Sequence, residues 1–388
     1  VSRAADQAIE AHGRQADPAA PLVCASGVSP SGPVHLGHLR ELLTPHLVAE
    51  EIRRRGVPCD HLLYWDDYDR LRKIPQGVPA SFADHLGRPL CDVPDPFGEY
   101  PSWAERFTAP VRTVLAELGV AVTEISQAER YRSGTYTARV LRAMAARTTI
   151  HDVLATYRTA APTTGSTHGP VGGPVGGGSY HPYRVYCSFC GRDTTAITGY
   201  DDGSTELAYR CASCGHRDAF RLAERGGAGK LVWKVDWPMR WAFEPVTFES
   251  AGADHASPGS SVTVGQRLCR EVFGAQPPVF VGFSFVGIRG TAKLSSSAGG
   301  VPTPRDALAV LEAPLLRWLY ARRRPQQSIT LDLGPELTRL YDEWDRLTTR
   351  PDDAVFRRAA WTSGAGWLVR PGVVVAWRLL TSAVDVTA

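Results

Sequence analysis

The sequence predicts an α/β protein: a doubly wound parallel sheet, interrupted by a small cysteine-bearing insertion and followed by a helical segment. Three observations predict it. Two short apolar runs, Leu22–Ala25 and Asp60–Trp65, flank a breaker-rich loop and a long helical pattern, the strand–loop–helix–strand order that opens nucleotide-binding folds. Two Cys-x2-Cys pairs stand close together in the middle of the chain. From about residue 304 onward the pattern is helical again.

Each element follows in order. Residues 3–13 carry Ala and Ile at the spacing of one apolar helix face, and Pro18 and Pro21 stop them. Leu22-Val-Cys-Ala25 is bounded by breakers and predicts a buried strand. Ser26 to Pro33 predicts a loop, and Val34 to Arg55 a helix that ends at Gly56. Helices are expected at 102–118 and 135–160, before a Gly/Pro-rich connector at 165–178. No Gly-Lys-Ser/Thr follows that connector, so it does not predict a phosphate loop. Apolar runs return between 230 and 290, and helices at 305–324 and 335–347. The Val-rich stretch 367–388 has too little punctuation to place.

Length and composition narrow the function classes. A chain of 388 residues suggests two domains and a small module. Net charge is only +3, which does not suggest a histone-like or polybasic role, although it says nothing of local patches. No run of about 18 apolar residues occurs, and the N-terminus has no apolar signal core, so a cytoplasmic protein without a membrane span is expected. Besides the paired cysteines, Cys24, Cys59, Cys91 and Cys269 are scattered, which fits a reducing compartment.

Three motifs carry chemistry. Cys187-x2-Cys190 and Cys211-x2-Cys214 stand 20 residues apart and predict two knuckles closing a tetrahedral zinc site. Four thiolates leave no open coordination position, so the site is structural. His35-Leu-Gly-His38 follows Ser29-Pro-Ser-Gly-Pro-Val, where a strand–loop passage meets a helix N-terminus. Backbone N–H groups and the positive helix end favour phosphate there. Two imidazoles one turn apart share one side of the helix. Gly37 leaves room for a flat base. Alone, the histidine pair is more often a core or surface pair, or a metal pair. Lys293-Leu-Ser-Ser-Ser297 is flanked by Gly287, Gly290, Gly299 and Gly300, as in a loop that could close on a polyphosphate. Alone, such a loop is usually just solvated.

Together the last two motifs are specific. The order strand, PSGPVHLGH, helix, then a late KLSSS loop resembles the class I aminoacyl-tRNA synthetases, with His35–His38 as the HIGH motif and Lys293–Ser297 as the KMSKS motif. Further segments resemble the class I lysyl-tRNA synthetases: Trp65-Asp-Asp-Tyr-Asp-Arg-Leu-Arg-Lys-Ile-Pro75, Cys190-Gly-Arg-Asp-Thr-Thr195, Trp233-Lys-Val-Asp-Trp-Pro-Met-Arg-Trp241, Gly252-Ala-Asp-His255 and Arg317-Trp-Leu-Tyr-Ala-Arg-Arg-Arg-Pro325. The resemblance runs from about residue 18 to about 350.

It implies a Rossmann-type catalytic domain in two halves, residues 1–182 and 229–303, a zinc-ribbon insertion at 183–228, and a helical stem-contact-like segment at 304–388. It implies activation of an amino acid by ATP with Mg²⁺, and a structural Zn²⁺. The amino-acid carboxylate attacks the α-phosphate and pyrophosphate leaves, so the protein works by positioning and by stabilising charge. His35, His38 and Lys293 would be catalytic. Pro30, Gly37, Asp254, Ser295, Ser296 and Ser297 would bind ATP. Gly27, Ser29, Asp66, Asp67, Trp233, His255, Phe283 and Ser284 would bind the amino acid, with a carboxylate at the strand end suiting an ammonium group.

Three departures from the family pattern shape the functional expectation. Phe283-Ser284 replaces an expected Tyr-Glu, which questions strict lysine specificity. Ala298-Gly-Gly300 replaces Lys-Gly-Asn, and the sequence ends at Ala388 where a large anticodon-binding domain is usual. The expectation is therefore ATP-dependent activation of lysine or a lysine-like amino acid. The acceptor expected is a small molecule, in a pathway such as antibiotic biosynthesis. The alternatives are a minimal ligase charging tRNA through its acceptor stem, met by Arg322–Arg324, and a non-catalytic paralogue that binds tRNA or adenylate.

Overall fold

The computed structural model describes residues 1–12, 20–157, 180–256, 259–289, 302–332, 334 and 336–369. The first half comprises α1 (Ser2–His12), β1 (Leu22–Val28), α2 (Leu36–Arg54), β2 (Cys59–Trp65), α3 (Trp103–Glu117), β3 (Thr123–Ser126), α4 (Gln127–Arg132), α5 (Thr137–Ala145) and α6 (Arg147–Thr156). The middle holds five short strands, β4 (Tyr183–Val185), β5 (Thr195–Tyr200), β6 (Glu206–Cys211), β7 (Arg217–Arg221) and β8 (Gly229–Leu231). Then come α7 (Trp233–Phe243), β9 (Phe248–Gly252), α8 (Ser261–Glu271), β10 (Val279–Phe283) and β11 (Val286–Ile288). Beyond residue 301 lie α9 (Pro304–Leu308), α10 (Ala313–Ala321), β12 (Ile329–Leu331), α11 (Glu336–Thr348) and α12 (Ala354–Ala360).

The central sheet has strand order β10-β9-β1-β2-β3, and all its pairs are parallel. Burial on both faces explains the unbroken apolar runs. From β1 the chain moves to β2 and β3 on one side and later returns to β9 and β10 on the other. The order reverses between β1 and β9, and in such sheets ligands bind beyond the strand C-termini at that point.

Several elements differ from expectation. Strand β1 runs three residues beyond Ala25, because Ser26, Gly27 and Val28 pair in register with Leu63, Tyr64 and Trp65. The expected helix at 135–160 is two, broken at Ala146. The expected helix at 305–324 is also two, α9 and α10. The 230–235 run is a strand only to Leu231, after which Trp233, Trp237 and Trp241 recur every fourth residue along α7. The Trp233 and Trp237 rings stack at 5.1 Å, and the Trp241 ring lies tilted at 5.0 Å from Trp237. The 165–178 connector lies outside the described residues, as do residues 370–388 of the unplaced stretch.

Helix α2 is the element that organises the site. Leu36, Leu39, Leu42 and Leu43 are fully buried, each contributing roughly 1.5–3 kcal/mol. Pro45 lies inside the helix and cannot donate to the carbonyl of Glu41. The Ser26 hydroxyl takes that place, 3.3 Å from Glu41 O. The C-terminal helices are tied on by Arg317, fully buried, which donates to the carbonyls of Leu118, Arg358 and Ala359 at 2.8–3.0 Å.

Candidate active site

The histidine pair caps α2. Nδ1 of His35 accepts the Gly37 N–H at 3.0 Å, and Nδ1 of His38 accepts the His35 N–H at 3.2 Å. The rings stack 3.9 Å apart. Because each Nδ1 is an acceptor, each neutral ring carries its proton on Nε2 and can donate one hydrogen bond outward. Burial lowers the pKa of His35, and burial with the neighbouring His35 ring lowers that of His38 to about 3. Both are therefore neutral donors at physiological pH. A Cβ on Gly37 would lie 2.7 Å from the His35 ring, so glycine is required here by packing against its own cap.

One helical turn past His38, Glu41 reaches a pocket at the switch point. Gly27 of β1, Tyr64 of β2, Glu249 and Ala251 of β9, Trp233, Trp237 and Arg240 of α7 and His255 line it with Glu41. Glu249 is buried and accepts the indole N–H of Trp237 at 3.0 Å and that of Trp241. Burial holds the Glu249 carboxyl up to about 7. Burial, then the nearby carboxylates of Glu249, Asp66 and Asp254, raise Glu41 well above the usual range. The buried Tyr64 hydroxyl has no hydrogen-bond partner among the described residues. Two carboxyl groups, aromatic walls and an orphaned hydroxyl, beside an Arg240 guanidinium already paired with Asp66 and Asp236, fit an ammonium-bearing chain. Glycine at position 27 keeps the strand side open, since a Cβ there would meet nothing within 4 Å.

The expected residues divide. Gly27, Trp233 and His255 line the pocket. Ser29, half-buried, and Pro30, buried, follow β1 in the loop to α2. Asp254 is exposed in a one-turn helix after β9.

Asp66 and Asp67 have other work. Asp66 is ion-paired with the buried guanidinium of Arg240 at 2.6 Å, and Arg240 also pairs with Asp236. Lys230 adds contacts to Asp69 at 2.6 Å and Asp236 at 3.4 Å. Asp67 accepts from Ser126 Oγ at 2.5 Å and the Ala128 N–H at 2.9 Å, holding the start of α4. Neither lines the pocket as the sequence suggested: the strand end is neutralised from within, because a buried carboxylate needs a partner.

Phe283 and Ser284 also stand away from the pocket. Phe283 packs under Arg40, and Ser284 bonds to Pro325 O through its N–H and to Gln326 O through its hydroxyl. The Tyr-Glu departure therefore does not remove a group from the pocket lining.

Sequence reasoning missed Glu41, Tyr64, Trp237, Arg240 and Glu249. Two were readable. Glu41 is three residues after His38 on the same helix face, and Trp-x3-Trp-x3-Trp is a helical stripe.

Lys293, Ser295, Ser296 and Ser297 lie outside the described residues. The chain on either side is placed. Lys293 comes five residues after the end of β11, and on the far side Pro302 O accepts the Leu36 N–H at 3.4 Å, between the two histidines.

The four cysteines converge. Their Sγ atoms all lie within 4.8 Å of one another, with Cys187–Cys214 at 3.7 Å and Cys190–Cys211 at 3.6 Å. A tetrahedron with Zn–S of about 2.3 Å has S–S edges of roughly 3.8 Å, so the residues fit zinc. They come from the turns flanking the three-stranded sheet β5-β6-β7, joined to the body by the antiparallel pair β4–β8. The expected tRNA-facing cluster is narrower than supposed. Arg322 is committed to Glu343 at 2.7 Å and to the Trp318 ring, whereas the side chains of Arg323 and Arg324 are exposed.

Comparison with known proteins adds the family. The family model described as tRNA synthetases class I (K) matches residues 1–359. The chain belongs to this family. It is 48% identical to the lysine–tRNA ligase of Streptomyces coelicolor, over 100% of this chain and 71% of that protein. It is 38% identical to the lysine–tRNA ligase of Pyrococcus horikoshii, over 84% of this chain and 60% of that protein. That of Treponema pallidum is 33% identical, over 83% and 59%. The chain thus spans about 60–70% of the length of these class I synthetases. The class I fold expected from the motifs is the fold observed. Among the described residues no helix is long and apolar enough to cross a membrane.

Proposed function

We propose that this chain activates lysine with ATP and transfers it to tRNA. One observation carries the reading: the carboxylate-floored aromatic pocket lies one helical turn from two neutral histidines whose Nε2–H groups point away from their own caps. The pocket suits an ammonium-bearing amino acid, and the histidines suit phosphate oxygens. The similarity to lysine–tRNA ligases supports lysine and tRNA as partners. Nothing supports the small-molecule acceptor or antibiotic biosynthesis expected above, so tRNA takes its place.

In this reading Glu41 receives the ammonium group at the pocket floor, and Tyr64 offers its unpartnered hydroxyl. Glu249 holds Trp237 as a wall, with Trp241 bonded behind it. The free space between these groups is about 20 Å³, room for roughly one water. The half-buried Trp233 and His255 must part to admit the side chain. The carboxylate of lysine would then point toward the α2 N-terminus. There it attacks the α-phosphate of ATP, and the P–O bond to pyrophosphate breaks. His35 and His38 donate from Nε2 to the phosphates without the cost of burying a charge. Lys293 would meet the leaving pyrophosphate. Mg²⁺ would arrive with ATP and share its phosphate charge. The exposed Arg323 and Arg324 would meet tRNA phosphates.

The test is ATP–pyrophosphate exchange with a panel of amino acids, with and without tRNA, beside direct assay of aminoacyl-tRNA. Lysine-dependent exchange together with lysyl-tRNA is expected. Exchange with lysine but no charging of tRNA would return the small-molecule acceptor. No exchange in any arm would favour a non-catalytic paralogue.

A further inference from the structure

Arg40 is two residues past His38, is 3% exposed, and has no carboxylate partner among the described residues. Instead its guanidinium donates to four backbone carbonyls. One terminal nitrogen reaches Ser284 O at 2.7 Å and Gln327 O at 2.9 Å, and the other reaches Arg324 O at 2.9 Å and Pro325 O at 3.0 Å. Burial lowers its pKa to about 10, which leaves it charged at physiological pH. The Phe283 ring lies 5.6 Å from the same group.

These four carbonyls belong to two segments that meet nowhere near each other in sequence. Ser284 is the hinge between β10 of the main sheet and β11. Residues 324–327 form the turn that leads into β12, and β11 and β12 pair in parallel from Val286–Ile329 to Ile288–Leu331. Two further bonds tie the same helix on the other side: Tyr320 donates to Leu36 O at 2.8 Å, and Leu36 N–H donates to Pro302 O.

A planar fork with several donors matches such a cluster of acceptors, and a single ammonium does not. The geometry points to Arg40 as a positioning residue for the reaction. It locks the β11–β12 pair, from which the chain runs on to Lys293, at a set distance from the His35–His38 helix. It touches no reacting atom. Its effect would act through placement of the β11–β12 pair relative to the helix that His35 and His38 open, where a shift of about 1 Å can cost about 100-fold in rate. The same turn carries Arg323 and Arg324, so Arg40 also joins the proposed RNA-facing turn to the activation helix. The catalytic part of this inference rests on the function proposed above; the anchoring part does not.

The experiment uses the full chain with Arg40→Lys and Arg40→Gln, each first shown to melt cooperatively. Backbone hydrogen exchange reads the anchoring without any catalysis. Amides at 284–289 and 322–331 should exchange at least about 10-fold faster in both variants, while the β5–β7 ribbon keeps its wild-type rates. In ATP–pyrophosphate exchange kcat should fall by about 100-fold, with KM for lysine and ATP within about 3-fold of wild type, and the lysine variant should not rescue it. Unchanged protection at those segments, or loss of protection over the whole chain, would overturn the proposal. So would a rise in KM with kcat preserved. If wild type itself shows no lysine-dependent exchange, the functional reading fails, and the hydrogen-exchange arm still decides the anchoring.

Discussion

Arg240 reaches Asp66 across the sheet, with 2.6 Å between guanidinium nitrogen and carboxylate oxygen, and both groups are buried. This pair settles which acid faces the pocket. With Asp66 neutralised by Arg240, and Asp67 holding α4, Glu41 and Glu249 are the pocket-lining carboxyl groups without a cationic partner among the described residues. In the function proposed above, recognition of an ammonium group accordingly falls to the helix that carries the histidines and not to the strand end.

Replacing Glu41 by Gln should therefore raise KM for lysine by at least about 100-fold, since removing one partner of a buried charge pair costs several kcal/mol. The melting temperature should not fall, because the raised pKa of Glu41 shows that its charge is unfavourable in the empty pocket. Lysine-dependent exchange and a thermal melt check both parts.

A pH dependence follows from the same group. Burial and neighbouring carboxylates raise Glu41, so below its shifted pKa it is protonated and cannot attract an ammonium. KM for lysine should fall as pH rises through that raised pKa, as Glu41 loses its proton. The Glu41→Gln variant should show a flat profile there. A wild-type KM that rises with pH would contradict the assignment.

Gly37→Ala would push a methyl group against the His35 ring at 2.7 Å. The ring must turn, and the cap on the Gly37 N–H is lost, at a cost of about 1 kcal/mol of stability. Exchange activity should drop far more, by about 100-fold, because the Nε2 donor is misdirected. Comparing kcat with the shift in melting temperature separates the two effects.

Lys293→Ala should abolish exchange, by at least about 1000-fold, with the fold intact. Circular dichroism and thermal melting establish the fold; exchange kinetics establish the loss. Unchanged activity would remove the KMSKS assignment.

The protein should bind one zinc ion per chain through Cys187, Cys190, Cys211 and Cys214. Cobalt substitution should give the visible bands of a tetrahedral thiolate site. Cys187→Ser should lower metal content and speed hydrogen exchange in β5–β7, since the ribbon has little core of its own. Exchange in the central sheet should stay near wild type.

The class of fold was legible because parallel strands buried on both faces leave unbroken apolar runs, and because Cys-x2-Cys spacing and the helix-start histidines are local features. Helix breaks were less legible. Ala146 carries no breaker signal, yet its backbone, at φ −90° and ψ 14°, ends one helix and starts the next. The end of β1 was read three residues short, because Ser26 looks like loop chemistry until its hydroxyl meets His61 Nε2 at 2.7 Å and the Glu41 carbonyl at 3.3 Å.

The sequence by itself determined the family, the cysteine quartet that fits a zinc ion, and the histidines that open α2. Those depend on residue type at short, fixed spacing. Only the tertiary structure decided which acids face the pocket and which are neutralised. Asp66 and Arg240 are 174 residues apart, and so is the choice between them and Glu41 invisible to any local pattern. The same holds for Arg40, whose four acceptors lie 244 to 287 residues away along the chain. Charge pairing and carbonyl capture depend on distance in space, and the fold alone sets that distance.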